Sequence, residues 1–350
     1  MRSIRPTTTA RHSRDRRWGR RWLHLAVLLG ALLIGDRAAA QVVIDGAGAS
    51  FSTRLIEAWA SAFHRDNGDV IVSFRPIGSA RGVALFLGDT IDFAVSDTPL
   101  TPEQRRETPM GVVELPLAAG ALVLAFNVRG VDTLNLSGEI VAGIFLGEIN
   151  TWDDPRIQRL NPDVVLPAMT IVPVHRSEGS GSTFAFTRYL AAESEAWRRG
   201  PGIGQTIRWP TGPGSLGTSG LLLTVQKTPG AIGYVDFGRA RSAEEPIGIA
   251  ALGDDDGPFI SPNSDTIRAG LLALDGADND PTAQVYPIVI VTRFVAHRDY
   301  GNASLAAAIR RFVRFGLARP ADDNATLGFV DLPGDMRSQT EAMIADIGPQ

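Results

Sequence analysis

The fold is decided by the stretch Val174-His175-Arg176-Ser177-Glu178-Gly179-Ser180-Gly181-Ser182-Thr183-Phe184. It follows a strand-like run at residues 169–174 and precedes a helix-like run from Thr183 to Ala192, whose inward positions are Phe184, Tyr189 and Leu190. Glycine lets the backbone approach a ligand closely, and the first turn of a helix presents unpaired N–H groups and the positive end of its dipole. The stretch therefore predicts an anion site at a strand-to-helix turn.

The polar side chains of this turn suit a tetrahedral oxyanion. Arg176 offers a planar guanidinium, and Ser180 and Ser182 offer hydroxyl donors. Glu178 stands two residues after the arginine and can hold the guanidinium in place. An alternative stays open on these residues alone: Ser180 only caps the helix, and Arg176 only forms a structural ion pair with Glu178.

The first 40 residues have the pattern of a secretory signal peptide. An arginine-rich segment is followed by the apolar run Leu25–Ile34, and Ala38 and Ala40 form a small-x-small site before Gln41. The apolar run is shorter than the about 20 residues that span a bilayer, which favours a cleaved peptide over a membrane anchor. We therefore expect export to the periplasm and removal of residues 1–40. Both ordinary secretion and, from Arg20-Arg21, twin-arginine export fit this pattern.

The composition of the remaining chain narrows its partners. Removing residues 1–40 takes away nine arginines and two aspartates, which leaves 25 basic and 36 acidic residues and a formal charge of −11. Such a surface argues against nucleic acid or an anionic membrane as a partner. The chain has no cysteine, which excludes disulfides, thiolate chemistry and a lipid-modified N-terminal cysteine. The remaining length suits two domains of ordinary size.

Strands, glycine- and serine-containing turns and helices alternate in the first part of the chain after residue 40. This alternation is typical of a parallel α/β sheet, in which ligands bind beyond the carboxyl ends of the strands. Ser50, Ser79, Asp97 and the Ser180 turn all fall at such ends. The predicted elements are strands at 42–44, 70–74 and 91–95, helices at 52–64 and 80–87, and a turn at 45–51.

Two apolar segments in the rest of the chain are candidate crossovers between domains. The extended runs 112–117 and 121–128 precede a helical region, and the second is a plausible crossover; the run 285–295 is a candidate return. Asp254–Asp256 is predicted to be a solvated acidic turn and not a cation site. The other predictions are helices at 137–146 and 153–160 with Ser137 and Asp153 as caps, a surface loop at 200–220, a strand at 231–235, and helices at 221–226, 262–274, 305–317 and 335–347.

Six short motifs occur in one order along the chain. They are Gly46-Ala47-Gly48-Ala49-Ser50-Phe51, Ile77-Gly78-Ser79, Asp92-Phe93-Ala94-Val95-Ser96-Asp97, Leu146-Gly147-Glu148-Ile149-Asn150-Thr151-Trp152, residues 176–184 and Pro229-Gly230-Ala231-Ile232-Gly233-Tyr234-Val235. Together they resemble the periplasmic phosphate-binding proteins of high-affinity phosphate ABC transporters, over essentially the whole chain after residue 40.

The resemblance implies an α/β, two-lobed periplasmic-binding-protein fold of type II. Each lobe is then a mixed, mostly parallel sheet flanked by helices, and two strands form the hinge. The implied division is lobe I at 41–122 and 290–350, lobe II at 123–289, and a hinge near 121–128 and 285–295.

The resemblance also implies the ligands and partners. The phosphate ligands would be Ser50, Phe51, Ser79, Asp97, Arg176, Ser180, Gly181 and Ser182. Ser50 and Ser182 stand where the family has threonines, and Glu178 replaces the aspartate that usually steadies the arginine. No cofactor and no metal are implied. The implied partners are inorganic phosphate and the membrane subunits of an ABC permease, with the protein itself a monomer and no enzyme.

Asp97 would give the site its selectivity. A protonated phosphate can donate a hydrogen to a carboxylate, whereas fully ionised sulfate cannot. Asp97 must be ionised for this, and we expect Arg176 and nearby N–H donors to lower its pKa. The alternatives are that Asp97 caps the turn before Thr98-Pro99, and that Ser50 and Ser79 are only helix caps.

Other functions remain to be separated from this one. A secreted phosphatase or serine hydrolase using Ser180 is disfavoured, because residues 179–181 lack the Gly-x-Ser-x-Gly elbow and no His/Asp cluster has metal-ligand spacing. A phosphate-binding relative in adhesion or secretion, and an arsenate receptor, fit the same residues. The sequence also departs from the family at Ala80-Arg81, where we expect Arg81 to face solvent, and at 217–220, which lacks the usual Asn-Asp.

Overall fold

The computed structural model describes residues 41–275 and 283–348. Residues 1–40, and with them the predicted signal peptide, lie outside the described residues. The strands are β1 Val42–Gly48, β2 Val70–Arg75, β3 Phe93–Ser96, β4 Val112–Phe126, β5 Thr133–Ser137, β6 Val172–Arg176, β7 Gly214–Ser215, β8 Ala231–Asp236, β9 Gly248–Gly253, β10 Val289–His297 and β11 Phe329–Val330.

The helices alternate with these strands. They are α1 Thr53–Asp66, α2 Ser79–Leu87, α3 Pro102–Arg106, α4 Gly138–Leu146, α5 Pro155–Leu160, α6 Gly181–Glu193, α7 Glu195–Arg199, α8 Gly217–Lys227, α9 Phe237–Arg241, α10 Ser264–Asp275, α11 Ala303–Leu317, α12 Ala321–Thr326 and α13 Gly334–Met343, followed by a 3₁₀ turn at Ile344–Asp346.

One group of paired strands, which we term the first lobe, consists of β1, β2, β3, β10, β11 and the first part of β4. β1 pairs in parallel with β2 and β3, and β10 runs antiparallel between β3 and β4. α1 packs on this sheet through Leu55, Ile56, Trp59 and Phe63, all buried, as their helical spacing predicts. Because β1 and β3 are parallel neighbours, the turns after them lie at the same edge of the sheet.

The second lobe is built on the second part of β4 with β5 to β9. β8 pairs antiparallel with β4 and in parallel with β6, and β9 pairs antiparallel with β4 and in parallel with β5. The parallel pair β6–β8 places Arg176, the last residue of β6, at the edge of this sheet where α6 begins. The observed architecture is the predicted α/β, two-lobed one.

One strand, β4, belongs to both lobes. Its residues 112–121 pair with β10, and its residues 122–126 pair with β8. The prediction of two separate extended runs, 112–117 and 121–128, was wrong, because Ala118-Ala119-Gly120 continues the strand instead of breaking it. The rings of Phe51 and Phe329 pack against Gly120, where an added Cβ would lie 3.1–3.2 Å from them, so the small residues serve packing.

The predicted turn at 45–51 was also wrong in part. β1 continues to Gly48, and the turn begins only at Ala49. Gly48 has φ +148°, and a Cβ there would lie 1.9 Å from the carbonyl oxygen of Val95 on β3. The glycine is therefore needed for close pairing of β1 with β3 as well as for the turn.

Other element boundaries moved by a few residues. Asp154, not Asp153, caps α5, because Pro155 occupies the first helical position and holds the preceding residue in an extended conformation. Phe186 is fully buried on α6, whereas the predicted inward residue Phe184 is only half-buried. The strands predicted at 91–95, 169–174 and 285–295 lie at 93–96, 172–176 and 289–297. The loop 200–220 contains β7 and the start of α8, and the helix 335–347 ends in a 3₁₀ turn. The elements that were not predicted are β5, β9, β11, α3, α7, α9 and α12.

Candidate functional site

The predicted site residues meet between the two lobes. Ser50 and Phe51 form the turn between β1 and α1, Ser79 opens α2, and Asp97 follows β3. Arg176 ends β6, and Ser180, Gly181 and Ser182 open α6. A Cβ on Gly181 would lie 2.5 Å from the Cβ of Asp97 and 2.9 Å from Ser79 Oγ, so the start of α6 touches the first lobe directly. Ser50, Phe51, Ser79, Asp97, Arg176, Ser180 and Ser182 are all buried.

Arg176 is held by both lobes. Its side chain is 2% exposed and forms an ion pair with Glu178, the support that the sequence predicted. Nη2 also donates to Ser50 Oγ at 2.8 Å, and Nη1 donates to Thr218 Oγ1 at 3.2 Å. Nε is buried without a hydrogen-bond partner among the described residues. A buried cation with a donor to spare is suited to bind an anion.

The start of α6 offers further donors. Ser180 is the N-cap, and its Oγ accepts from the N–H of Thr183 at 3.4 Å, so the capping interpretation is correct for this residue. Capping satisfies the third helical N–H, but the N–H groups of Gly181 and Ser182 have no acceptor among the described residues. These two groups lie at the positive end of the helix dipole, in the turn where Gly181 comes close to the buried Ser79 and Asp97.

Ser50 and Ser79 are not the caps of their helices. The N-cap residue of α1 is Ser52, and that of α2 is Gly78. Ser50 Oγ instead contacts Arg176 and Thr218 across the cleft, and Ser79 Oγ accepts from the N–H of Asp97 at 3.3 Å. Both hydroxyls therefore face the cleft, and the helix-cap alternative was wrong for them.

Asp97 is a buried carboxylate whose protonation is finely balanced. Oδ1 accepts from Thr292 Oγ1 at 3.0 Å, so the side chain does not cap its own turn. Burial raises the pKa of Asp97 to about 7, although the Thr292 hydrogen bond and the charges of Arg176 and Arg293 act to lower it. The expectation of a lowered pKa was wrong, because the loss of water around the carboxylate outweighs these neighbours.

Sequence reasoning missed two residues of the site. Thr218, at the start of α8, donates its N–H to Ser50 Oγ at 3.2 Å and contacts Arg176. Thr292, fully buried on β10, holds Asp97. A lone hydroxyl inside the apolar run Val289–Val295 was the only available sign of Thr292. Nothing local distinguished Thr218.

Several other predicted features lie away from the site. Arg81 is exposed, as predicted. His175 stacks on Trp209 with ring centroids 4.6 Å apart, and its ring nitrogens contact only backbone carbonyls. Within 41–275 and 283–348 no group of three His, Cys, Asp or Glu residues could hold a metal ion, the turn at Asp254–Asp256 included. No helix in the described part of the chain has the length and apolarity to cross a membrane.

Comparison with known proteins gives consistent results. The model of the PBP superfamily domain matches residues 35–319. Phosphate-binding protein PstS of Haemophilus influenzae is 30% identical over 308 residues, which cover 84% of this chain and 90% of that protein. Phosphate-binding protein PstS of Xylella fastidiosa (strain Temecula1) is 32% identical over 312 residues, with coverage of 86% and 84%.

Solved structures share the fold at lower sequence identity. A high-affinity periplasmic phosphate-binding protein (PfluDING) bound with phosphate has a TM-score of 0.70 at 20% identity, covering 88% of this chain and 100% of that chain. The phosphate-binding protein from Stenotrophomonas maltophilia has a TM-score of 0.65 at 22% identity, with coverage of 86% and 94%. With the superfamily match and the PstS relatives, these findings show that the chain belongs to the PBP superfamily and, within it, to the family of PstS phosphate-binding proteins.

Proposed function

We propose that this protein captures inorganic phosphate between its two lobes and delivers it to an ABC permease in the inner membrane. The observation that carries the proposal is that one buried cleft contains both a cation with hydrogen-bond donors and a carboxylate. Arg176 and the N–H groups of Gly181 and Ser182, which have no acceptor among the described residues, favour binding of an anion. Ionised Asp97, in the same cleft, favours a ligand that can donate a hydrogen bond. Protonated phosphate meets both demands, because it carries acceptor oxygens and a hydroxyl.

Each ligand would take a defined part of the phosphate. Arg176 and the start of α6 would bind the charged oxygens from the second lobe, with hydroxyls from Ser180 and Ser182. Ser50, Phe51 and Ser79 would donate from the first lobe, and Asp97 would accept the phosphate's proton. Sulfate would place an oxygen against the Asp97 carboxylate with no hydrogen between them, and a buried unpaired charge of this kind costs about 1–3 kcal/mol or more.

The lobes and hinge follow the same proposal. Lobe I would be residues 41–122 and 290–350, lobe II residues 123–289, and the hinge would lie near 121–128 and 285–295. The passage of β4 from its pairing with β10 to its pairing with β8, between Ala121 and Leu122, supports this division. Closure around the ligand is an established motion for two-lobed binding proteins.

The proposal also includes where the protein acts and what it binds to. We infer export to the periplasm with cleavage near Ala40, action as a monomer, and docking on the membrane subunits of the permease in the closed form. The names of the PstS relatives support a binding protein and not an enzyme. Ser180 is also not arranged as the nucleophile of a hydrolase. Its Oγ accepts from a backbone N–H, and none of the described histidines forms a hydrogen bond with it.

A calorimetric titration of phosphate-stripped protein lacking residues 1–40 tests the proposal. We expect one phosphate per chain at micromolar affinity or tighter, about −8 kcal/mol, and much weaker binding of sulfate well above pH 7, where Asp97, whose pKa is about 7, is ionised. Asp97→Asn should weaken phosphate roughly tenfold or more and admit sulfate. Asp132→Asn, which removes one exposed carboxylate, is the matched control and should bind as the wild type does.

Absence of phosphate binding, or equal binding of sulfate by the wild type, would contradict the proposal. Arsenate has the same protonated form and is a second ligand to titrate, because Asp97 does not distinguish the two. A role in adhesion or secretion predicts the same titration. It is separated from transport by measuring phosphate uptake in cells from which the gene has been deleted and restored.

A further inference from the structure

A pocket of about 230 Å³ opens beside Asp97, and the phosphate-binding residues of the second lobe do not line it. Its walls come from both lobes: Pro99 and Pro116 on one side, and Phe184, Ala185 and Arg188 of α6 on the other. β10 contributes Arg293, and α10 and α13 contribute apolar side chains. Asp97 is its only lining residue that is also a proposed phosphate ligand, so the pocket adjoins the inner site through this carboxylate.

Two arginines face this pocket, and neither forms an ion pair with a carboxylate among residues 41–275 and 283–348. Arg188 is exposed and makes no hydrogen bond or ion pair with residues 41–275 or 283–348. Arg293 is half-buried, and its one hydrogen bond among those residues runs from Nη1 to the carbonyl of Val291 at 2.8 Å. Burial lowers the pKa of Arg293, Glu114 and Asp97 act to raise it, and the positive charges of Arg105 and Arg188 lower it further. The pair would be stabilised by an anion between them.

The nearby carboxylates Glu114 and Asp97 offset part of the charge of Arg293, but both have other partners. Glu114 forms an ion pair with Arg105 and also accepts from the N–H of Leu100 at 2.6 Å. Asp97 lines the pocket and accepts a hydrogen bond from Thr292. It is also the group that the ligand must reach. Two arginines on one pocket are notable in a chain whose residues after position 40 carry a formal charge of −11.

The arginine on α6 is aligned with the inner site. Gly181, Ala185 and Arg188 are spaced by four and three residues, so they share one face of the helix. Gly181 at the start of this face touches Asp97 and Ser79. Seven residues along an α-helix span about 10 Å, so Arg188 lies about that far from the helix start that offers the free N–H groups.

We propose that this pocket is an outer oxyanion site, at which Arg188 and Arg293 bind phosphate before it passes Asp97 into the inner site. The inference rests on the proposed phosphate-binding function and adds the route to it. The outer site attracts any tetrahedral oxyanion, because it contains cations and no group that requires a proton on the ligand other than Asp97. The inner site then selects the protonated one. Local positive charge of this kind acts on association rates, and its effect weakens with salt.

Stopped-flow tryptophan fluorescence of the phosphate-stripped protein, mixed with inorganic phosphate at low salt, tests the outer site. Arg188→Gln should lower the association rate constant about three- to tenfold and leave the dissociation rate constant nearly unchanged. Arg188→Glu should lower association further, and both variants should show a weaker dependence of the rate on salt. Arg129→Gln is the matched control, since Arg129 is an exposed arginine that lines a different pocket at the end of β4.

The possible results separate the two proposals. If the wild type binds phosphate and Arg188→Gln associates at the same rate, or slows no more than Arg129→Gln, the outer site is wrong and the inner site stands. If Arg188→Gln changes only the dissociation rate, Arg188 holds bound ligand and does not guide it, which also contradicts the inference. If the wild type binds no phosphate, the proposed function fails, and the outer site with it.

Discussion

At Asp97, burial favours the protonated carboxyl group, whereas selectivity for phosphate requires the ionised carboxylate. A carboxylate must be ionised to accept a hydrogen bond from the phosphate hydroxyl, yet burial between the lobes raises the pKa of Asp97 to about 7. Arg176, Arg293 and Thr292 limit the rise without cancelling it. Near neutral pH the ligand-free protein is therefore a mixture of ionised and protonated Asp97. Only the ionised form is selective for a protonated oxyanion.

The first prediction concerns sulfate and pH. Protonated Asp97 can donate a hydrogen bond to sulfate, so sulfate should bind measurably at about pH 6 and progressively less above about pH 7, by up to about tenfold per pH unit. Sulfate does not titrate in this range, so isothermal titration reports the protein group alone. Asp97→Asn, whose amide always donates, should bind sulfate equally at each pH. A wild-type sulfate affinity independent of pH would contradict the balance described here.

The raised pKa also has a consequence for stability, with a defined sign. The folded ligand-free protein holds a proton on Asp97 between its ordinary pKa of 3.8 and about 7, whereas the unfolded chain has released it. The contribution of Asp97 therefore destabilises the folded state as pH rises through this window. Bound phosphate, whose own hydrogen satisfies the carboxylate, should offset that loss.

Thr292 carries the second prediction. Thr292→Val keeps the volume but removes the donor to Asp97 Oδ1, so the pKa of Asp97 should rise further and phosphate affinity should fall about tenfold near pH 7. The midpoint of the sulfate pH profile should move to higher pH in the same variant. Thr292→Ser retains the hydroxyl and should restore both values. A lower free energy of unfolding together with an unchanged midpoint of the sulfate pH profile would instead mean that Thr292 is only a packing residue.

The sequence identified one class of site residue and missed another. Arg176, Ser180, Gly181 and Ser182 sit in one continuous turn, where local pattern and chemistry coincide. Thr218 and Thr292 reach the site from positions 168 and 195 residues away from their partners Ser50 and Asp97. A single threonine carries no local signal of such a contact, so only the folded arrangement reveals it.

At the scale of elements, α6 makes its contributions to the cleft through its first turn. Its N-cap Ser180, the free N–H groups that follow and the contact of Gly181 with Asp97 and Ser79 all lie in its first turn. The contact is possible because position 181 has no side chain. The same backbone that we propose binds the anion therefore also limits how closely the lobes approach.

Gly181→Ala gives the third prediction. The added Cβ would lie 2.5 Å from Asp97 Cβ and 2.9 Å from Ser79 Oγ, so we expect the lobes to close less completely and phosphate affinity to fall tenfold or more, roughly 1.4 kcal/mol. The backbone N–H remains, and alanine favours a helix over glycine by about 1 kcal/mol, so thermal stability without phosphate should hold or rise. Gly220→Ala in α8, where nothing lies within 4 Å, is the control.

An unchanged phosphate affinity in Gly181→Ala, measured by the same titration, would show that the lobes do not need this close contact. A loss of stability without phosphate would point to a different role for the glycine. Equal losses of affinity in Gly181→Ala and Gly220→Ala would mean that helix propensity, and not contact between the lobes, sets the effect.

The predicted elements were most accurate where hydrophobic periodicity was strong. α1 and α11 lie within two residues of their predicted starts and ends, because their apolar residues recur at helical spacing. The errors fell on small residues. Gly46 to Gly48 and Ala118 to Gly120 are typical of turns by composition, yet they form strands because aromatic rings and a neighbouring strand cover them. Packing by distant residues cannot be read from a local pattern.

At the scale of the whole molecule, several hydrogen bonds among the described residues join the lobes directly. Gln205 Nε2 donates to Thr98 Oγ1 at 2.7 Å, and Ser50 Oγ accepts from Arg176 and from the N–H of Thr218. The others run from Arg54 to the carbonyl of Gly238 and to Ser242 Oγ, and from Arg241 to the carbonyls of Ala325 and Thr326. Each hydrogen bond contributes only about 0.5–1.5 kcal/mol, and the cleft leaves Arg176 Nε and the N–H groups of Gly181 and Ser182 without an acceptor among the described residues, so we expect the lobes of the empty protein to open. Phosphate would supply the missing interactions.

The last prediction follows from this balance. Saturating phosphate should reduce the radius of gyration measured by small-angle X-ray scattering and, at 1,000 times the dissociation constant, stabilise the fold by about 4.1 kcal/mol. Gln205→Ala removes a contact between the lobes without removing a phosphate ligand. It should therefore lower the closed population and weaken phosphate a few-fold, because apparent affinity scales with the fraction of binding-competent protein. Gln226→Ala, whose side chain bonds within the second lobe to the carbonyl of Glu245, should leave both measurements unchanged. A radius of gyration that does not respond to phosphate would mean that the lobes are already closed around an empty site and that the hydrogen bonds between them are sufficient to hold them there.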